Sequence, residues 1–591
     1  MSHYQPHIQD MQFVLSYVLN APDQLKSLQV FEELDGELVQ QVLEEAGKFV
    51  GEVVAPLNRD GDEIGAQCQD GKVTMPPGFQ AAYQMFWQAG WPALSADTED
   101  GGQGLPTVLE IMLYEMLSAA NHGWTMAPGL LHGAYECIKH YASPSLKETY
   151  LSKVSTGEWL ATMCLTEPHA GSDLGLSRTK ATPQADGRYA LNGTKIFISG
   201  GEHDLTDNIV HLVLARLPDA PPGPKGLSLF LVPKFYPNGE RSAVHCDRIE
   251  EKMGLHGSPT CVMRFDDALA EIIGEPGKGL NAMFVMMNAA RIGVGMQSLG
   301  LTEVAYQNAL AYAKERIQSR SLSGVKQPSQ PADGILVHPD VRKMLLTAKA
   351  YAEGGRALNL YCALLIDQEL NHPNAAVRQQ AADMVAMLTP IVKAFITDNG
   401  WTATSSCLQV LGGHGFISEW GMEQYVRDAR INMIYEGTNT IQSLDLLGRK
   451  VLGNQGETLK KFGQMIAELV AAESGHEEMT PFIQPLAKLA QQMTSFTGEI
   501  GMKAMANADE VGAAAVDYLR VAGHLVFGYF WARMAQVALQ QISAGSNDPF
   551  YKAKVQTARF YFSRLFPETA SLMLTARSGS EVLMDTDAVF A

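Results

Sequence analysis

Cysteine is scarce in this sequence, and its spacing excludes several classes of protein. The chain has seven cysteines in 591 residues, and the two nearest in sequence, Cys246 and Cys261, are 15 residues apart. Without a CxxC pair, neither a zinc knuckle nor a dense disulfide framework is predicted. Residues 1–10 also lack the basic start and apolar block of a signal peptide. We therefore expect a protein of the reducing cytoplasm.

Basic residues are in the minority. Lys and Arg number 45 against 64 Asp and Glu, which gives a formal net charge of −19. Such a surface repels a phosphate backbone, and no local run of basic residues offsets that repulsion. Nucleic acid is therefore not an expected partner.

Long apolar runs are missing as well. No stretch of about 18 consecutive apolar residues occurs, so no membrane span is predicted. The nearest candidate, Gly279–Thr302, contains Arg291 and several amide side chains. Burying a lone cation is costly, so Arg291 should be paired or should face a polar cleft. We interpret this segment as a core helix that holds one buried arginine.

The composition that remains is that of a large globular protein, with 46% hydrophobic and 18% charged residues. At about 150 residues per domain, roughly four structural units are expected. Short strand-like runs divided by turn signals fill the region from about 160 to 275, and helical periodicity surrounds it. The predicted domains are an N-terminal helical segment at 1–34, a helical domain at 35–160, a β domain at 161–275, a helical bundle at 276–452 and a helical extension at 453–591.

Local signals predict the individual elements. One helix begins at Asp35 and ends before Pro56, which cannot continue it. In the β region, Asp186-Gly187 and Asn192-Gly193 predict two consecutive hairpin turns. The later predicted helices are Gly279–Arg320, Pro339–Ile366, Asn374–Asp398, Trp401–Leu411, Glu457–Ser474, Pro481–Met505, Asp509–Ser543 and Pro549–Ala576.

A carboxylate beside a sharp turn stands out at residues 434–442, IYEGTNTIQ. Asn439 can cap a helix, with Gln442 three residues later. Glu436 then lies just ahead of that helix, on a turn that Gly437 allows to bend sharply. Apolar neighbours would raise the pKa of Glu436 towards that of a useful base. The simpler alternative is an acid that only favours the helix dipole.

Two loops are rich in small residues, and the first of them could approach a ligand closely. Residues 163–173, MCLTEPHAGSD, follow a predicted strand, and Thr166 and Ser172 could donate hydrogen bonds to a planar or phosphorylated group. Residues 409–415, QVLGGHG, follow an uncharged helix. An ordinary turn explains the first loop equally well, and a helix C-cap explains the second.

The sequence does not support metal-dependent or Ser-triad hydrolysis. None of the fifteen histidines forms an HExxH pair, and no GxSxG elbow occurs. We expect no metal site.

Taken in order, these segments resemble the acyl-CoA dehydrogenase family, over about Asp35 to Lys450. The segments that carry the resemblance are Gly101–Gly104, Leu165–Asp173, Gly193–Ser199, Lys252–Gly254, Gly274–Leu280, Arg427-Asp428 and Ile434–Gln442. The chain is also similar to the long, 3-methylmercaptopropionyl-CoA dehydrogenase-like subgroup, which has a C-terminal helical extension. The stretches similar to that subgroup are Asp10–Val14, Gly193–Ser199 and Glu419–Gln424.

The resemblance implies a mainly α fold with an inserted β-barrel domain. An N-terminal helical domain would be followed by the barrel, a helical bundle and an additional C-terminal helical domain. The implied cofactor is FAD, between barrel and bundle. The implied cofactor-binding residues are Leu165, Thr166, Gly171, Ser172, Phe197, Ile198, Ser199, Arg316, Gln318, Gln409, Gly412, Gly413, Gly437, Thr438 and Thr440.

Some of these positions have individual roles in the family. Thr166 would bond the edge of the flavin ring. Phe197 and Ser199 stand in a segment that covers the flavin, where tryptophan and threonine are common. Arg316 would reach the FAD of a neighbouring subunit, and so would the loop at 409–413. The stretch 319–333 departs from the usual short form.

The implied reaction is α,β-dehydrogenation of an acyl-CoA. Glu436 would take the α-proton while the β-hydrogen leaves as hydride, and Ser172, Asn288 and Arg291 would lie beside the substrate. The expected substrate is a straight-chain fatty acyl-CoA or 3-methylthiopropanoyl-CoA, oxidised to the trans-2-enoyl-CoA in fatty acid β-oxidation. The expected partners are electron-transfer flavoprotein as electron acceptor and a second copy of the chain in a homodimer.

Two other functions are compatible with the same resemblance. An acyl-CoA oxidase performs the same proton and hydride chemistry but passes electrons to O₂. A DNA-associated relative without dehydrogenase activity would need basic C-terminal helices. Residues 456–591 carry at least as many acids as bases, which disfavours the second alternative.

Overall fold

The computed structural model describes residues 4–591. The chain forms two compact units, one made of Leu43–Gly293 and the other of Met1–Val42 together with Val294–Ala591. Within the described residues, no helix combines the length and the apolar character needed to cross a membrane.

Helices and strands are numbered separately in chain order. Up to residue 273 they are α1 (Ile8–Gln12), α2 (Ala21–Lys26), α3 (Gly36–Phe49), α4 (Asn58–Glu63), β1 (Gln67–Gln69), β2 (Lys72–Thr74), α5 (Phe79–Gln88), α6 (Thr107–Ala120), α7 (His122–Thr125), α8 (Leu131–Tyr141), α9 (Pro144–Leu146), α10 (Ser152–Ser155), β3 (Leu160–Cys164), β4 (Lys180–Pro183), β5 (Tyr189–Ser199), β6 (Ile209–Arg216), β7 (Leu227–Pro233), β8 (Val244–Ile249) and β9 (Thr260–Ile273).

The remaining elements are helical. They are α11 (Gly279–Glu315), α12 (Pro339–Asn371), α13 (Ala375–Val410), α14 (Gly413–Phe416), α15 (Met422–Arg430), α16 (Asn439–Leu444), α17 (Glu457–Glu473), α18 (Thr480–Ala506), α19 (Asp509–Ser543), α20 (Pro549–Phe560), α21 (Glu568–Arg577), α22 (Glu581–Met584) and α23 (Asp587–Phe590). The chain is therefore mostly helical, with one large sheet inserted after the first helical region and a further helical region at the C-terminus, as predicted.

The inserted sheet has seven strands. β6 pairs with β4 and β7, β7 with β9, β9 with β5, and β5 with β4, so the pairings of these five strands form a cycle. β3 adds to β6 in parallel, and β8 adds to β9. Almost every residue of β6 and β7 is buried, as expected for strands whose two faces both lie in a core.

One of the two predicted hairpin turns is correct and the other is wrong. The Asp186-Gly187 turn joins β4 to β5, which pair antiparallel. Asn192 and Gly193, however, lie inside β5. A Cβ at Gly193 would lie 2.4 Å from Thr179 Oγ1, so glycine is needed there for the close approach of two segments of the sheet domain and not for a turn.

A predicted helix break in the bundle is also wrong. The helices expected at Asn374–Asp398 and Trp401–Leu411 form a single helix, α13. A Cβ at Gly400 would lie 2.1 Å from Ser298 Oγ. This glycine therefore allows α11 and α13 to pack closely, and the helix continues through it. α11 ends at Glu315, five residues earlier than predicted.

The C-terminal region packs around α19, which is buried over most of its length from Ala514 to Ala538. The helix predicted at Pro549–Ala576 is interrupted, because α20 ends at Phe560 and a π-helical turn follows at Tyr561–Leu565. α21 then starts directly after Pro567, whose missing N–H and fixed φ suit a helix start and not a helix interior.

Candidate functional site

The loop after β3 is held by a buried ion pair. β3 is buried throughout, and the chain emerges at Leu165 and Thr166, which are partly exposed. Lys195 Nζ on β5 donates to the Leu165 carbonyl oxygen and to Glu167 Oε1, both at 2.9 Å. Both charged side chains are almost fully buried, so they fix the start of the loop from inside the sheet.

Glu167 is saturated with donors. Its carboxylate accepts from the backbone N–H groups of Arg178 (2.7 Å) and Thr179 (3.0 Å), and from Thr179 Oγ1 (2.6 Å). Burial raises the pKa of Glu167, but Lys195 and these donors outweigh it and hold the pKa at about 2. Both residues lie in segments that were predicted to be important, but neither was given a role of its own, although a lysine between strand-forming residues is a usable signal.

A bulge in β5 turns an aromatic side chain outwards. The pairing with β9 shifts between Lys195 and Ile198, and Phe197 has φ +60° and is 60% exposed. The Ile196 N–H donates to the Thr166 carbonyl oxygen at 2.8 Å, which ties the bulge to the loop.

The predicted residues of this region lie on one open face, with two of them turned partly or wholly inwards. Gly171, Ser172 and Phe197 are exposed. A Cβ at Gly171 would meet nothing within 4 Å. Ile198 is buried, so only its backbone can face a ligand, and Ser199 is half-buried.

Glu436 lies on a turn with an uncommon backbone. Its φ is +58° and that of Gly437 is +82°. A left-handed glutamate is strained and persists where the surroundings fix it. Here the Gln442 side chain donates to the Glu436 carbonyl oxygen at 3.0 Å. Glu436 is half-buried.

The same turn is anchored to the bundle on both sides. Tyr435 Oη lies within hydrogen-bond distance of Gln297 Oε1 on α11 (2.6 Å) and of Asn432 Oδ1 (2.8 Å). Asn439 accepts from Lys393 Nζ on α13 (2.7 Å) and donates to Asp398 Oδ1 (2.6 Å). These contacts position Glu436 through its neighbours on both sides.

The predicted helix cap is off by one residue. Thr438 caps α16, since its hydroxyl accepts from the Ile441 N–H at 3.3 Å. Asn439 is the first helical residue, and its amide contacts α13 instead of capping. Thr440 is exposed.

A second open surface lies at residues 409–413, where α13 ends and α14 begins; we call this segment the 409–413 loop. Gln409, Gly412 and Gly413 are exposed, and a Cβ at either glycine would meet nothing within 4 Å. His414 fixes the loop, because its Nδ1 lies 3.0 Å from Tyr312 Oη and its ring stacks on Trp420. The sequence analysis did not single out this aromatic anchor.

The structure brings Arg316 and Gln318 to the same end of the bundle. Tyr312, which contacts His414, lies in the last turn of α11, and Arg316 follows directly after the last residue of that helix. Gln297, which contacts the Glu436 turn, lies 15 residues before Tyr312 on α11, about 22 Å away at 1.5 Å per residue. Arg316 and Gln318 are therefore grouped with the 409–413 loop and not with Glu436.

The two predicted substrate residues on α11 contact each other. Arg291 is buried, and its Nη1 donates to Asn288 Oδ1 at 3.3 Å. Asn288 is exposed. The expectation that this arginine is buried with a polar neighbour is confirmed.

The donor chemistry suits FAD. A planar ring can lie against the exposed Phe197, with the Thr166 hydroxyl available at its edge. Phosphates need cations and open backbone, and Arg316 and the two bare glycines of the 409–413 loop supply these. Taken separately, each of these two surfaces carries groups of the kind that suit one part of FAD.

Four family models match the chain in sequence. They are described as acyl-CoA dehydrogenase, N-terminal domain (residues 37–158), middle domain (162–268) and C-terminal domain (277–452), and as acetyl-CoA dehydrogenase C-terminal like (462–587).

Individual proteins are similar over nearly the whole chain. The 3-methylmercaptopropionyl-CoA dehydrogenase of Ruegeria pomeroyi is 41% identical over 96% of this chain and 97% of its own length. A broad-specificity linear acyl-CoA dehydrogenase of Mycobacterium tuberculosis, FadE5, is 34% identical over 99% of both chains. A solved acyl-CoA dehydrogenase from Bacillus anthracis, complexed with FAD, shares the fold, with a TM-score of 0.75 and 23% identity over 93% of this chain and 90% of its own.

Proposed function

Since this chain belongs to the acyl-CoA dehydrogenase family, we propose that it oxidises the Cα–Cβ bond of a straight-chain acyl-CoA with Glu436 as the base. The Glu436 carboxylate takes the α-proton of the thioester, and the β-hydrogen leaves with its electron pair as hydride. A carbon–carbon double bond forms, and the product is the trans-2-enoyl-CoA.

FAD is the cofactor of this family, and when bound it supplies the two-electron acceptor for the hydride. On the sheet face, Leu165, Thr166 and Ser172 would hold it, with the 197–199 segment beside the ring. Three residues that follow Glu436 in the sequence would also lie near FAD, namely Gly437, Thr438 and Thr440. Arg316, Gln318 and the 409–413 loop would contact its phosphates.

The observation that carries the proposal is the conformation of the Glu436 turn. A carboxylate on a left-handed residue is costly to maintain. Gln442, Tyr435 and Asn439 nevertheless fix this turn from three directions. Such preorganisation is what a positioned general base requires, because a small displacement costs much of its effect. An acid that only favours the helix dipole needs no such support.

The relatives suggest the substrate class. One is named for 3-methylmercaptopropionyl-CoA and another for broad-specificity linear acyl-CoA. We infer a linear acyl chain, which includes 3-methylthiopropanoyl-CoA because a thioether sulfur replaces a methylene with little change of shape. Arg291 and Asn288 would contact the CoA part.

We further infer a homodimer that passes its electrons to electron-transfer flavoprotein. Tyr312, whose side chain contacts His414, lies about 22 Å along α11 from the contact with the Glu436 turn, and Arg316 follows beyond it. The resemblance assigns this end of the bundle to the FAD of a second copy. The cycle of five paired strands supports the family's β-barrel.

Replacing Glu436 by Gln tests the assignment. The amide keeps the shape but cannot take a proton, so we expect the rate to fall about 10²- to 10⁴-fold or more. The measurement is anaerobic bleaching of the yellow holoenzyme by saturated acyl-CoA thioesters of increasing chain length. Glu468→Gln, an exposed site on α17, is the matched control and should retain the wild-type rate.

Two outcomes would contradict the proposal. If no thioester bleaches the wild-type flavin, the enzyme is not a dehydrogenase of acyl-CoA. If Glu436→Gln bleaches at the wild-type rate, the base lies elsewhere. Oxygen consumption during turnover without another acceptor would instead identify an oxidase.

A further inference from the structure

The segment 319–333, between α11 and α12, folds around a single carboxylate. Asp333 is fully buried although its surroundings are an exposed loop. Its Oδ1 accepts from the backbone N–H groups of Lys326 (3.0 Å) and Gln327 (2.7 Å), and its Oδ2 accepts from that of Ser321 (2.9 Å). Hydrogen bonds from backbone N–H groups to a carboxylate are charge-assisted and therefore strong. These bonds hold the backbone of the loop around Asp333.

A charged side chain closes the same loop from the other side. Arg320 Nη1 pairs with Asp333 Oδ1 at 3.3 Å and donates to the Gln327 carbonyl oxygen at 3.0 Å. Its Nη2 donates to the Gln330 carbonyl oxygen at 2.6 Å. The donors around Asp333, led by the Ser321 N–H, lower the pKa of its carboxyl to about 2, so this side chain is ionised at neutral pH.

The closed loop fixes the backbone of the residues just before it. The Gln318 N–H donates to the Asp333 carbonyl oxygen (2.9 Å), and the Asp333 N–H donates to the Ser319 carbonyl oxygen (2.8 Å). The Ile335 N–H donates to the Arg316 carbonyl oxygen (2.8 Å). Residues 316–319 and 333–335 thus form a short antiparallel ladder that Asp333 anchors.

The side chains on this ladder face outwards. Arg316 and Gln318 are exposed, and neither side chain has a hydrogen bond or ion pair within residues 4–591. Leu322, at the tip of the loop, is 97% exposed. A buried charge and several hydrogen bonds therefore fix the backbone of two residues whose polar side chains are exposed.

We propose that Asp333 is a positioning residue, which fixes Arg316 and Gln318 for the phosphates of the FAD bound by a second copy of this chain. The inference rests on the proposed function, since that function assigns Arg316 and Gln318 to the cofactor. Arginine binds a phosphate through a planar fork of donors, and less entropy is lost on binding when the backbone that carries the arginine is already fixed. The ladder fixes that backbone.

A double-mutant cycle on FAD affinity tests the coupling. Full-length apoprotein is titrated with FAD, and binding is followed by quenching of flavin fluorescence. Arg316→Ala removes a charge-assisted bond and should weaken binding about 10- to 100-fold. Asp333→Asn presents an amide N–H₂ to backbone donors and should weaken binding about 3- to 30-fold. In the Arg316→Ala background, Asp333→Asn should weaken it less than about twofold.

The cycle includes a control and a milder variant. Asp340→Asn makes the same change of charge at an exposed position seven residues away and should leave FAD affinity unchanged. If Asp333→Asn does not fold, Arg320→Ala removes one side of the same cluster and should again lose its effect in the Arg316→Ala background. Circular dichroism and the thermal midpoint monitor folding in every variant.

Several outcomes would overturn the inference. Additive losses from Arg316→Ala and Asp333→Asn would mean that Asp333 stabilises the loop without acting through Arg316. Unchanged FAD affinity in Arg316→Ala would remove the group on which Asp333 is proposed to act. Failure of the proposed function is a separate result, because acyl-CoA would then fail to bleach the wild-type flavin whatever these affinities are.

Discussion

Each unit of the molecule contains a buried cluster of charge, and the two clusters have different consequences. In the Leu43–Gly293 unit, Lys195 and Glu167 form one pair behind the loop that begins at Leu165. In the other unit, Asp10 on α1 bonds both Arg356 on α12 and Lys554 on α20. Both clusters are desolvated, so in both the charges must satisfy one another.

The two clusters differ in what they connect. The Lys195–Glu167 pair joins neighbouring parts of one sheet and controls the path of an adjacent open loop. The Asp10 cluster is larger, because Arg356 also bonds Glu303 on α11 (3.0 Å) and Lys554 also bonds Glu353 on α12 (2.8 Å). It therefore joins four helices that are far apart in the sequence. We therefore expect the first pair to affect mainly the path of the adjacent loop and the second to affect mainly the free energy of unfolding.

The largest expected effect is on the second cluster. Arg356→Met leaves the buried carboxylates of Asp10 and Glu303 short of a cation, so the free energy of unfolding should fall by about 3–5 kcal/mol. Guanidinium denaturation measures it. Arg449→Met, at a side chain that is 80% exposed, should cost less than about 0.5 kcal/mol. A loss below about 1 kcal/mol for Arg356→Met would show that the cluster is not a stabilising connection.

A smaller loss of stability, with a larger effect on the site, is expected for Glu167→Gln. Lys195 keeps the Leu165 carbonyl and the new amide oxygen as acceptors, so the variant should lose only about 1–3 kcal/mol. FAD retention should fall, since the loop path changes. The control is Glu158→Gln, which breaks a surface pair with Lys153 worth at most about 1 kcal/mol. Unaltered flavin content in Glu167→Gln would refute the positioning role.

The smallest expected effect is on how the free energy of unfolding depends on pH in the wild type and in Glu167→Gln. The pKa of Glu167 falls from an ordinary 4.5 to about 2 on folding. A depressed folded pKa gives stability that is complete above the ordinary value and is lost as the pH falls towards the folded value. Between pH 4.5 and 2, the wild type should therefore lose more stability than Glu167→Gln. Denaturation curves at pH 5 and pH 3 measure this, and parallel losses in both proteins would contradict it.

The candidate site was predictable where it depended on short segments. Gly437 after Glu436 indicated a sharp turn, and both residues have a positive φ. The glycines at 412 and 413 indicated a loop after a helix, and α13 ends at Val410, just before them. The roles of these residues towards FAD and substrate stay predictions until the experiments above are done.

Residues that act through distant partners were missed. Lys195 and Glu167 are 28 residues apart, and Asp333 meets donors 6 to 12 residues earlier in a segment without periodicity. Gly193 was assigned to a turn. A helix break was predicted at residues 399–400, which include Gly400. Glycine favours both features. The neighbours of these two glycines, Thr179 and Ser298, explain them instead, and only the packed structure shows those neighbours.

By itself the sequence determined the order of helical and strand-rich regions and the family, because periodicity, turn residues and short motifs are local properties of the chain. The tertiary structure decided which buried charges pair, which strands close the cycle of pairings and which glycines permit close packing. These depend on desolvation and steric exclusion between segments that are distant in sequence, and no local pattern encodes a distance between such segments.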